Sequence, residues 1–453
     1  MGSSHVRPQA TDTLHIAQQR RTADRTGTGT GTGHPALTAS AAEHASTVRH
    51  PGRHGRPGHH ARPALRAALA ATAEDAIIYD LDGIGRQFAA LRAELPGVII
   101  RFAMKACPVG EVLDHLARLG SGFDAAGPQE IVEALRTGAA PESIHYGNTV
   151  KSDRNIAEAY RLGVRDFATD SVEDVAAIAE HAPESRVFCR LATTGHGALW
   201  GLSNKFGCSP EDALRVLGAA RASGLVPSGL SVHVGSQQMT AEAWDEAIGT
   251  LAALLETLNR HGIVPDRINL GGGLPALGVL DRRGRPLEPP LDKMFTVIRE
   301  GMERLRDVNA APLDFLLEPG RHLVADHGAI RAHVARLTSR HRLDGSREDW
   351  LYLSCGKFNG LYEVDQLQYR LEFPTHPDGQ FVSAVVAGPT CDSDDAYAQD
   401  GLVPVPRTIA SGDPVWVHSC GAYAAAYATQ GFNGFSPLPY TCIGGPAPDG
   451  EGA

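Results

Sequence analysis

The chain has 453 residues, of which 42% are apolar and 21% are charged, as is usual for a soluble globular protein. Its 42 basic and 52 acidic residues give a net charge of −10, which argues against a nucleic-acid-binding protein because such proteins usually carry a basic surface. No run of about 18 apolar residues is present, so the sequence predicts no membrane-spanning helix.

The N-terminal part differs in composition from the rest of the chain. Residues 1–73 hold nine arginines and three acids, a net charge of +6, which leaves −16 for the other 380 residues. The repeat TGTGTGTG at 26–33 and the Arg- and His-rich stretch at 53–63 offer too little apolar surface to form a core. We predict a disordered arm over residues 1–65 and a disordered tail over residues 446–453. A solvated extension or a misassigned start explains this arm better than a transit peptide does.

The seven cysteines are scattered, and none forms a Cys-x-x-Cys pair. The sequence therefore predicts neither a zinc site nor a disulfide framework, and we expect no functional metal site. A reducing, cytoplasmic location is expected for such a chain. Lysine is scarce, with five residues against 37 arginines, which shortens the list of possible amine nucleophiles.

Eight short apolar runs follow one another from residue 98, and amphipathic helical patterns separate them. The runs are residues 98–105, 121–127, 144–148, 166–170, 187–192, 230–236, 267–273 and 315–320. Eight strand–helix units over about 225 residues predict an α/β fold, a (β/α)8 barrel, which we place at residues 75–325. A strand and a helix over residues 74–91 lead into it.

The pattern changes after residue 325. Helical periodicity fades, and short alternating or β-branched segments are separated by turns such as SGDP and HPDG. We predict an antiparallel β-barrel or sandwich domain over residues 326–445, with a contribution from the segment that precedes the barrel.

Polar side chains or glycines stand at or just past the end of almost every barrel run. Active sites of this fold lie at the C-terminal ends of the strands, so we expect these residues to surround one site. They are Lys105, Asp124, Asn148, Asp170, Arg190, His233, the glycines 271–273 and Glu318.

These residue types suit one cofactor. Lys105 ends a buried run, where poor solvation lowers the pKa of the amine and makes it a nucleophile, although a strand-end lysine also snorkels to solvent. Glycines let backbone N–H groups approach a phosphate, and Arg321 adds a guanidinium. The Glu318 carboxylate can hold a proton on the ring nitrogen of a cofactor. The structural alternative is that Glu318 only forms a local ion pair with Arg321. Pyridoxal 5′-phosphate (PLP) has an aldehyde, a phosphate and a ring nitrogen, and it favours loss of CO2.

The chain resembles the fold-type III PLP-dependent decarboxylases, the ornithine, diaminopimelate and arginine decarboxylase family, over about residues 75–443. The segments that match, in the order of the family, are FAMKA (102–106), GFDAAGPQEI (122–131), YGNTVKS (146–152), CRLATT (189–194), KFG (205–207), HVGSQ (233–237), NLGGG (269–273), EPGR (318–321), GPTCDSDD (388–395), GAY (421–423) and FNGF (432–435).

The resemblance implies a role for each matching residue. Lys105 binds PLP through an imine, Glu318 pairs with the pyridine nitrogen, and His233 stacks on the ring. Cys391 resembles the cysteine that protonates the carbanion after CO2 leaves, with a small buried thiol as the structural alternative. Supporting polar groups are Asp124, Glu130 and Arg190. The phosphate is held by Ser236, Gly272, Gly273, Gly320, Arg321 and Tyr423.

The resemblance also implies a homodimer, because the family completes each active site across the subunit interface. Cys391 and Asp392 would then serve the cofactor of the partner. Acids of the β domain bind the distal amine of the substrate, and the matching positions are Asp392 and either Glu363 or Asp365. A basic amino acid such as ornithine or lysine is the expected substrate, in diamine or polyamine biosynthesis. Diaminopimelate and a modified or carrier-bound amino acid remain alternatives.

Two other functions stay open. An amino-acid racemase of related architecture usually places an arginine at the ring nitrogen, and Glu318 with the GPTCD segment argues against it. Inactive relatives of the decarboxylases act as binding proteins and typically lose cofactor contacts, whereas this chain keeps the residues expected to make them.

Overall fold

The computed structural model describes residues 63–201, 205–397 and 400–445. The predictions for the C-terminal tail and for residues 1–62 of the arm lie outside the described residues. Residues 63–65 open a helix, so the predicted arm extends three residues too far. Within the described parts of the chain, no helix has the length and apolar character needed to cross a membrane.

The elements are numbered in chain order. The helices are α1 (Pro63–Ala71), α2 (Leu81–Glu94), α3 (Gly110–Arg118), α4 (Pro128–Arg136), α5 (Asp153–Arg161), α6 (Val172–His181), α7 (Pro210–Ala222), α8 (Glu242–Arg260), α9 (Leu291–Val308) and α10 (Arg321–Val324). The strands are β1 (Ala76–Asp80), β2 (Ile99–Ala103), β3 (Gly122–Ala125), β4 (Ile144–Tyr146), β5 (Asp166–Thr169), β6 (Arg186–Arg190), β7 (Ala198–Trp200), β8 (Val226–Ser231), β9 (Ser236–Gln238), β10 (Arg267–Asn269), β11 (Leu280–Asp281), β12 (Asp314–Leu317), β13 (Gly328–His341), β14 (Arg347–Leu353), β15 (Leu367–Gln368), β16 (Leu371–Glu372), β17 (Phe381–Ala387), β18 (Ala396–Tyr397), β19 (Val403–Pro406), β20 (Pro414–His418) and β21 (Tyr440–Ile443).

The predicted barrel is confirmed. Strands β2, β3, β4, β5, β6, β8, β10 and β12 form a closed parallel barrel, in which β12 pairs with β2 and closes the ring. Each of the eight predicted apolar runs overlaps one of these strands, although the run at 230–236 shares only the last two residues of β8. Parallel strands all point the same way, so their C-terminal ends meet at one mouth.

Side chains along the barrel strands alternate between the interior and the helix-covered outside. Arg101 on β2 and Asp166 on β5 form an ion pair across the barrel, which places both inside. Their neighbours Phe102 and Phe167 therefore point outward, and both are fully buried under the surrounding helices. The interior is thus polar at several levels, while the large apolar side chains fill the layer between strands and helices.

Serine caps fix the starts of three outer helices and so the ends of the preceding loops. The hydroxyls of Ser152, Ser171 and Ser209 each accept the backbone N–H of the residue three positions on, at the starts of α5, α6 and α7. The loops that rise from β4, β5 and β6 to the barrel mouth are therefore anchored at both ends.

The predicted second β domain is confirmed as a sheet of its own, which is mixed in strand direction. Its main path runs β16-β20-β13-β14-β17-β18, with β1 joined to β13 and β21, and β19 joined to β17. Most pairs are antiparallel, but β14 pairs with β17 and β1 pairs with β21 in parallel. A parallel pair needs a long crossover connection, and residues 354–380 supply one between β14 and β17. The boundary set at residues 325 and 326 stays a prediction; β12 ends at Leu317 and β13 begins at Gly328.

Candidate active site

A cavity of about 210 Å³ lies at the C-terminal mouth of the barrel. Strand ends and βα loops form most of its wall, and the second sheet adds Tyr423. The lining residues are Ala103, Lys105, Arg190, Trp200, Gly201, Phe206, His233, Ser236, Gly272, Gly273, Leu274, Glu318, Gly320, Arg321 and Tyr423. Most of the residues predicted for the site are therefore brought to one cavity by the closure of the barrel.

Lys105 reaches this cavity from a short 3₁₀ turn, Met104–Ala106, directly after β2. Met104 and Ala106 on either side are fully buried, whereas the lysine side chain opens into the cavity. Burial lowers the pKa of Lys105, but the charges of Asp124, Tyr423 and Glu318 outweigh burial, and the net shift is upward. The expectation of a lowered pKa was therefore wrong, because it considered solvation and not the acids on other strands.

Glu318 faces the same cavity just past β12. Its Oε1 accepts Asn269 Nδ2 at 2.5 Å and lies 3.0 Å from His145 Nε2. His145 Nε2 also lies 3.1 Å from Asp124 Oδ1. Burial alone would raise the pKa of Asp124, but the hydrogen bond from His145 and the charge of Lys105 lower it to about 2. Two acids thus share one imidazole, which lies behind the cavity wall formed by Glu318.

His233 and Arg190 form another wall. His233 Nδ1 accepts the backbone N–H of Gly235 at 3.0 Å, so this nitrogen carries no proton. Burial, together with the charges of Arg190 and Lys105, lowers the pKa of His233 to about 3. The ring is therefore neutral at physiological pH, as suits a flat surface for a planar cofactor. Arg190 lies with its Cζ 5.1 Å from the ring of Phe206.

The glycines beside the cavity leave room for a ligand at the backbone. A Cβ on Gly272 would lie 2.8 Å from Glu318 O, and Gly273 has a φ of +120°, which strains any other residue. Ser236 Oγ lies across from them, 3.3 Å from Arg321 Nη2. The backbone at the glycines, the Ser236 hydroxyl and the Arg321 guanidinium are groups that bind phosphate. The cavity therefore fits PLP.

Arg321 lies between two aromatic rings, with Cζ 4.6 Å from the ring of Trp200 and 5.0 Å from the ring of Tyr423. Both of its terminal nitrogens donate to the carboxylate of Glu363 at 2.5 Å. Arg321 Nε is buried with no hydrogen-bond partner among the described residues. Glu363, one of two alternatives for the distal amine, is thus engaged by Arg321. The other, Asp365, pairs with Lys357 Nζ at 2.7 Å.

Cys391 and Asp392 are exposed on a loop of the second sheet. Neither is among the described residues that line the cavity. Asp395 shapes this loop, because its carboxylate accepts the backbone N–H groups of Lys357 and Thr390 at 2.7 and 3.0 Å. The exposed thiol excludes the alternative of a buried structural cysteine.

Three other predicted polar residues lie beside the cavity and hold loops. Glu130 Oε2 accepts the backbone N–H of Ala126 at 2.6 Å, and Asp170 Oδ2 accepts that of Gly207 at 2.8 Å. Asn148 Oδ1 accepts the backbone N–H of Val150 at 3.1 Å. These side chains stabilise βα loops and do not appear among the described lining residues.

Sequence reasoning missed His145 and Asn269, which both contact Glu318. Both stand inside predicted strand runs, but the prediction considered only the residues that end each run. The available signal was the alternation of side-chain direction along a strand. His145 and Asn269 each pair in register with a residue of the adjacent strand whose side chain points into the barrel, so their own side chains point inward as well. Asp124 pairs in register with His145, and Asn269 with Ser231.

A family model described as "Pyridoxal-dependent decarboxylase, pyridoxal binding domain" matches residues 81–325, more than half of the chain. The lysine/ornithine decarboxylase of Selenomonas ruminantium is 31% identical over 368 residues, which cover 80% of this chain and 88% of that protein.

Two solved structures share the fold. SrLDC in complex with PLP and cadaverine has a TM-score of 0.73 at 27% identity, covering 84% of this chain and 93% of that chain. The lysine/ornithine decarboxylase of Vibrio vulnificus complexed with putrescine has a TM-score of 0.72 at 27% identity, covering 84% and 97%. The family match spans the whole barrel, and Lys105, Glu318, Gly272 and Gly273 line one cavity at its mouth. The chain therefore belongs to the pyridoxal-dependent decarboxylase family, an amino-acid decarboxylase family with PLP as cofactor.

Proposed function

We propose that this chain removes CO2 from a basic amino acid with a distal amine, lysine or ornithine. The observation that carries the proposal is the cavity in which Lys105, Glu318 and Arg321 meet, with a carboxylate rather than a guanidinium at the position for the ring nitrogen. The similar proteins named above are lysine/ornithine decarboxylases, and one was solved with putrescine. When bound, PLP supplies the electron sink for the carbanion left by loss of CO2.

The residues of the chain divide the work of holding that cofactor. Lys105 offers the amine for the aldehyde, and Glu318 holds a proton at the ring nitrogen. His233 offers its neutral ring as a flat wall. The phosphate is held by Ser236, the backbone of Gly272, Gly273 and Gly320, Arg321 and Tyr423.

Asp392 is the acid best suited to the distal amine. Glu363 is engaged by Arg321, and Asp365 by Lys357. Asp392 is exposed, and its Oδ1 accepts only a neutral backbone N–H, that of Asp394 at 2.8 Å. An exposed carboxylate with no cationic partner among the described residues is free to meet an ammonium group.

A homodimer with shared sites explains why Cys391 and Asp392 lie outside the cavity of their own chain. The same face exposes Tyr362, Tyr427 and Phe432, and such aromatic side chains are typical of interface cores. In this arrangement the Cys391 thiol delivers a proton to the carbon that has lost CO2. All seven cysteines are free thiols, which supports a reducing compartment such as the cytoplasm.

A CO2-release assay on the full-length holoenzyme tests the substrate. Lysine, ornithine, arginine and diaminopimelate are compared, and we expect the highest kcat/KM for lysine or ornithine. Lys105→Ala should abolish release, and Lys293→Ala, at an exposed position of α9, is the matched control. Racemisation without CO2 would establish the racemase. No turnover of any free amino acid would overturn the proposal in favour of a carrier-bound substrate or a binding protein.

Mixing two inactive variants tests the shared site. Lys105→Ala and Cys391→Ala each lack one part of every site, so each homodimer is expected to be inactive. After subunit exchange, half of the dimers carry one intact site, and about one quarter of the wild-type activity should return. Absence of any recovery, with subunit exchange shown by differently tagged chains, would contradict a site built from two subunits.

A further inference from the structure

His145 occupies an unusual position in the barrel interior. It is the middle residue of β4, fully buried, and its ring packs at 5.3 Å against the ring of Phe188. Its Nε2 is within hydrogen-bond distance of both Asp124 Oδ1 and Glu318 Oε1. Carboxylate oxygens accept hydrogen bonds, so Nε2 carries the proton and donates to both. Nδ1 has no partner among the described residues, so the ring is held in place through Nε2 alone.

The hydrogen bonds to Glu318 are one-sided. Asn269 Nδ2 and His145 Nε2 both reach Oε1, and the described residues make no such bond to Oε2. A carboxylate held through one oxygen cannot rotate without breaking both bonds. Oε2 is therefore the oxygen left for the ring nitrogen of PLP.

We infer that His145 is a positioning residue of the decarboxylase site, which links Asp124 to Glu318 and fixes the Glu318 carboxylate toward the cofactor. The inference rests on PLP as the cofactor and not on the identity of the substrate. His145 touches neither the cavity nor the reacting atoms, so it acts through the two acids.

Several charges act on this imidazole. Asp124 and Glu318 favour its charged form, burial and Arg101 of β2 oppose it, and the pKa of His145 is raised overall. Asp166 of β5 also faces it. A protonated or neutral ring donates through Nε2 in either case, so the link between the two acids persists over the physiological pH range.

Loss of the imidazole changes the balance between the acids. Asp124 and Glu318 would face each other without the donor that they share, and like charges at short range in a buried site disfavour ionisation of both. One of them takes up a proton, and a protonated Glu318 no longer holds the ring nitrogen in its charged form. The visible absorption of the bound cofactor reports this change directly.

A metal ion is the competing explanation, because the same three side chains place ligand atoms within 4.8 Å of one another. The neighbouring charges oppose it. Lys105 and Arg190 both act on Asp124 and Glu318, so the site already holds positive charges that disfavour a divalent ion. A divalent ion would also occupy the oxygen that Asn269 contacts.

The test compares holoenzymes of His145→Leu, His145→Gln and His115→Leu. His115 is also buried, on α3, and neither of its ring nitrogens has a partner among the described residues, which makes it the matched control. His145→Leu should weaken PLP binding by about tenfold or more and give the visible spectrum a new pH dependence, with kcat reduced more than KM is changed. Gln offers an amide donor and should restore PLP affinity. His115→Leu should match the wild type.

Three results would overturn the inference. One is an unchanged PLP dissociation constant and spectrum in His145→Leu. Another is a wild-type PLP affinity that depends on added Zn²⁺ or is lost to a chelator. If the Leu variant does not fold, His145→Asn replaces it, since its shorter amide cannot span both acids. Equal PLP affinities of the Asn and Gln variants would then count against the inference. A wild type that binds PLP but releases no CO2, while His145→Leu still weakens PLP binding as expected, would question the proposed function and not this link.

Discussion

Two buried ionic clusters occupy opposite ends of the same barrel. The basal cluster consists of Asp166 with Arg101 and Arg267, near the N-terminal ends of the strands. Asp166 Oδ2 accepts from Arg101 Nη1 at 2.7 Å and from Arg267 Nη1 at 2.6 Å. The cavity cluster consists of Asp124, His145 and Glu318, near the C-terminal ends. Phe188 lies between the clusters, with its ring 5.4 Å from Arg267 Cζ and 5.3 Å from the ring of His145.

The clusters differ in how completely their charges are used. In the basal cluster, Arg267 also donates to Ser228 Oγ at 2.7 Å and Arg101 to Glu142 O at 3.0 Å. The terminal nitrogens of both arginines are therefore paired, and only their Nε atoms have no partner among the described residues. In the cavity cluster, Glu318 keeps an oxygen toward the cavity and lies near the Lys105 amine. At the base of the barrel the charged side chains pair with one another, whereas at the mouth one carboxylate oxygen stays available for a ligand. Stability at the bottom and chemistry at the top is the usual division in this fold.

The largest effect is expected from breaking the basal cluster. Asp166→Ala leaves two guanidinium groups buried without a carboxylate, and loss of one partner of such a cluster costs about 3–5 kcal/mol. We expect a large fall in the urea midpoint of unfolding, with PLP affinity unchanged in the protein that remains folded. Asp212→Ala, an exposed acid on α7, is the control and should leave the midpoint almost unchanged. If Asp166→Ala has the same urea midpoint as Asp212→Ala, the basal cluster does not stabilise the fold.

Breaking the cavity cluster should have the reverse signature. Glu318→Ala removes the carboxylate that we propose to face the ring nitrogen, and loss of a preorganised charge typically costs about 10²–10³ in rate. The urea midpoint of the apoprotein should stay close to the wild type, because Glu318 is part of an open cavity. Steady-state kinetics and denaturation of the same preparation give both values. Equal losses of stability in Glu318→Ala and Asp166→Ala would abolish the distinction between the clusters.

Acid pH should separate the contributions of charge and of hydrogen bonding. The pKa of Asp124 is lowered to about 2 from an ordinary 3.8. A lowered folded-state pKa adds stability above pH 3.8, and this stability is lost as the pH falls toward 2; it corresponds to about 2 kcal/mol. Asn keeps an acceptor for His145 but cannot ionise, so Asp124→Asn should unfold with a shallower pH dependence in this window. Denaturant titrations at stepped pH measure the slope, and an unchanged slope would assign the acid sensitivity elsewhere.

The sequence was sufficient for the barrel and for the residues at its mouth. Each strand was marked by a local apolar run, and the C-terminal ends of parallel strands meet by geometry. Lys105, Arg190, His233 and Glu318 could therefore be grouped from the order of the runs alone. Local patterns carry no such information about pairing in the second sheet. β1 joins β21 from the far end of the described chain, and nothing in either segment specifies a parallel neighbour.

Long-range electrostatics account for the remaining misses. The sign of the Lys105 pKa shift depends on Asp124 and Glu318, which closure of the barrel brings near it. Glu363 was one of two positions predicted to meet the distal amine, yet Arg321 at the start of α10 engages it. Its role and those of Asp365 and Asp392 toward substrate stay predictions. Such pairings follow from the three-dimensional fold and leave no mark on the local sequence.

The smallest effect is expected from an ion pair at the same end of the barrel as the basal cluster. Arg186 Nη2 lies 2.6 Å from Asp266 Oδ1, but the two side chains are 38% and 54% exposed. Water already solvates both groups, so Asp266→Asn should cost less than about 1 kcal/mol, in contrast to Asp166 one strand away. High salt should erase even that difference, because exposed pairs are screened and buried ones are not. A loss as large as that of Asp166→Ala would mean that position at the base of the barrel, and not burial of charge, determines stability there.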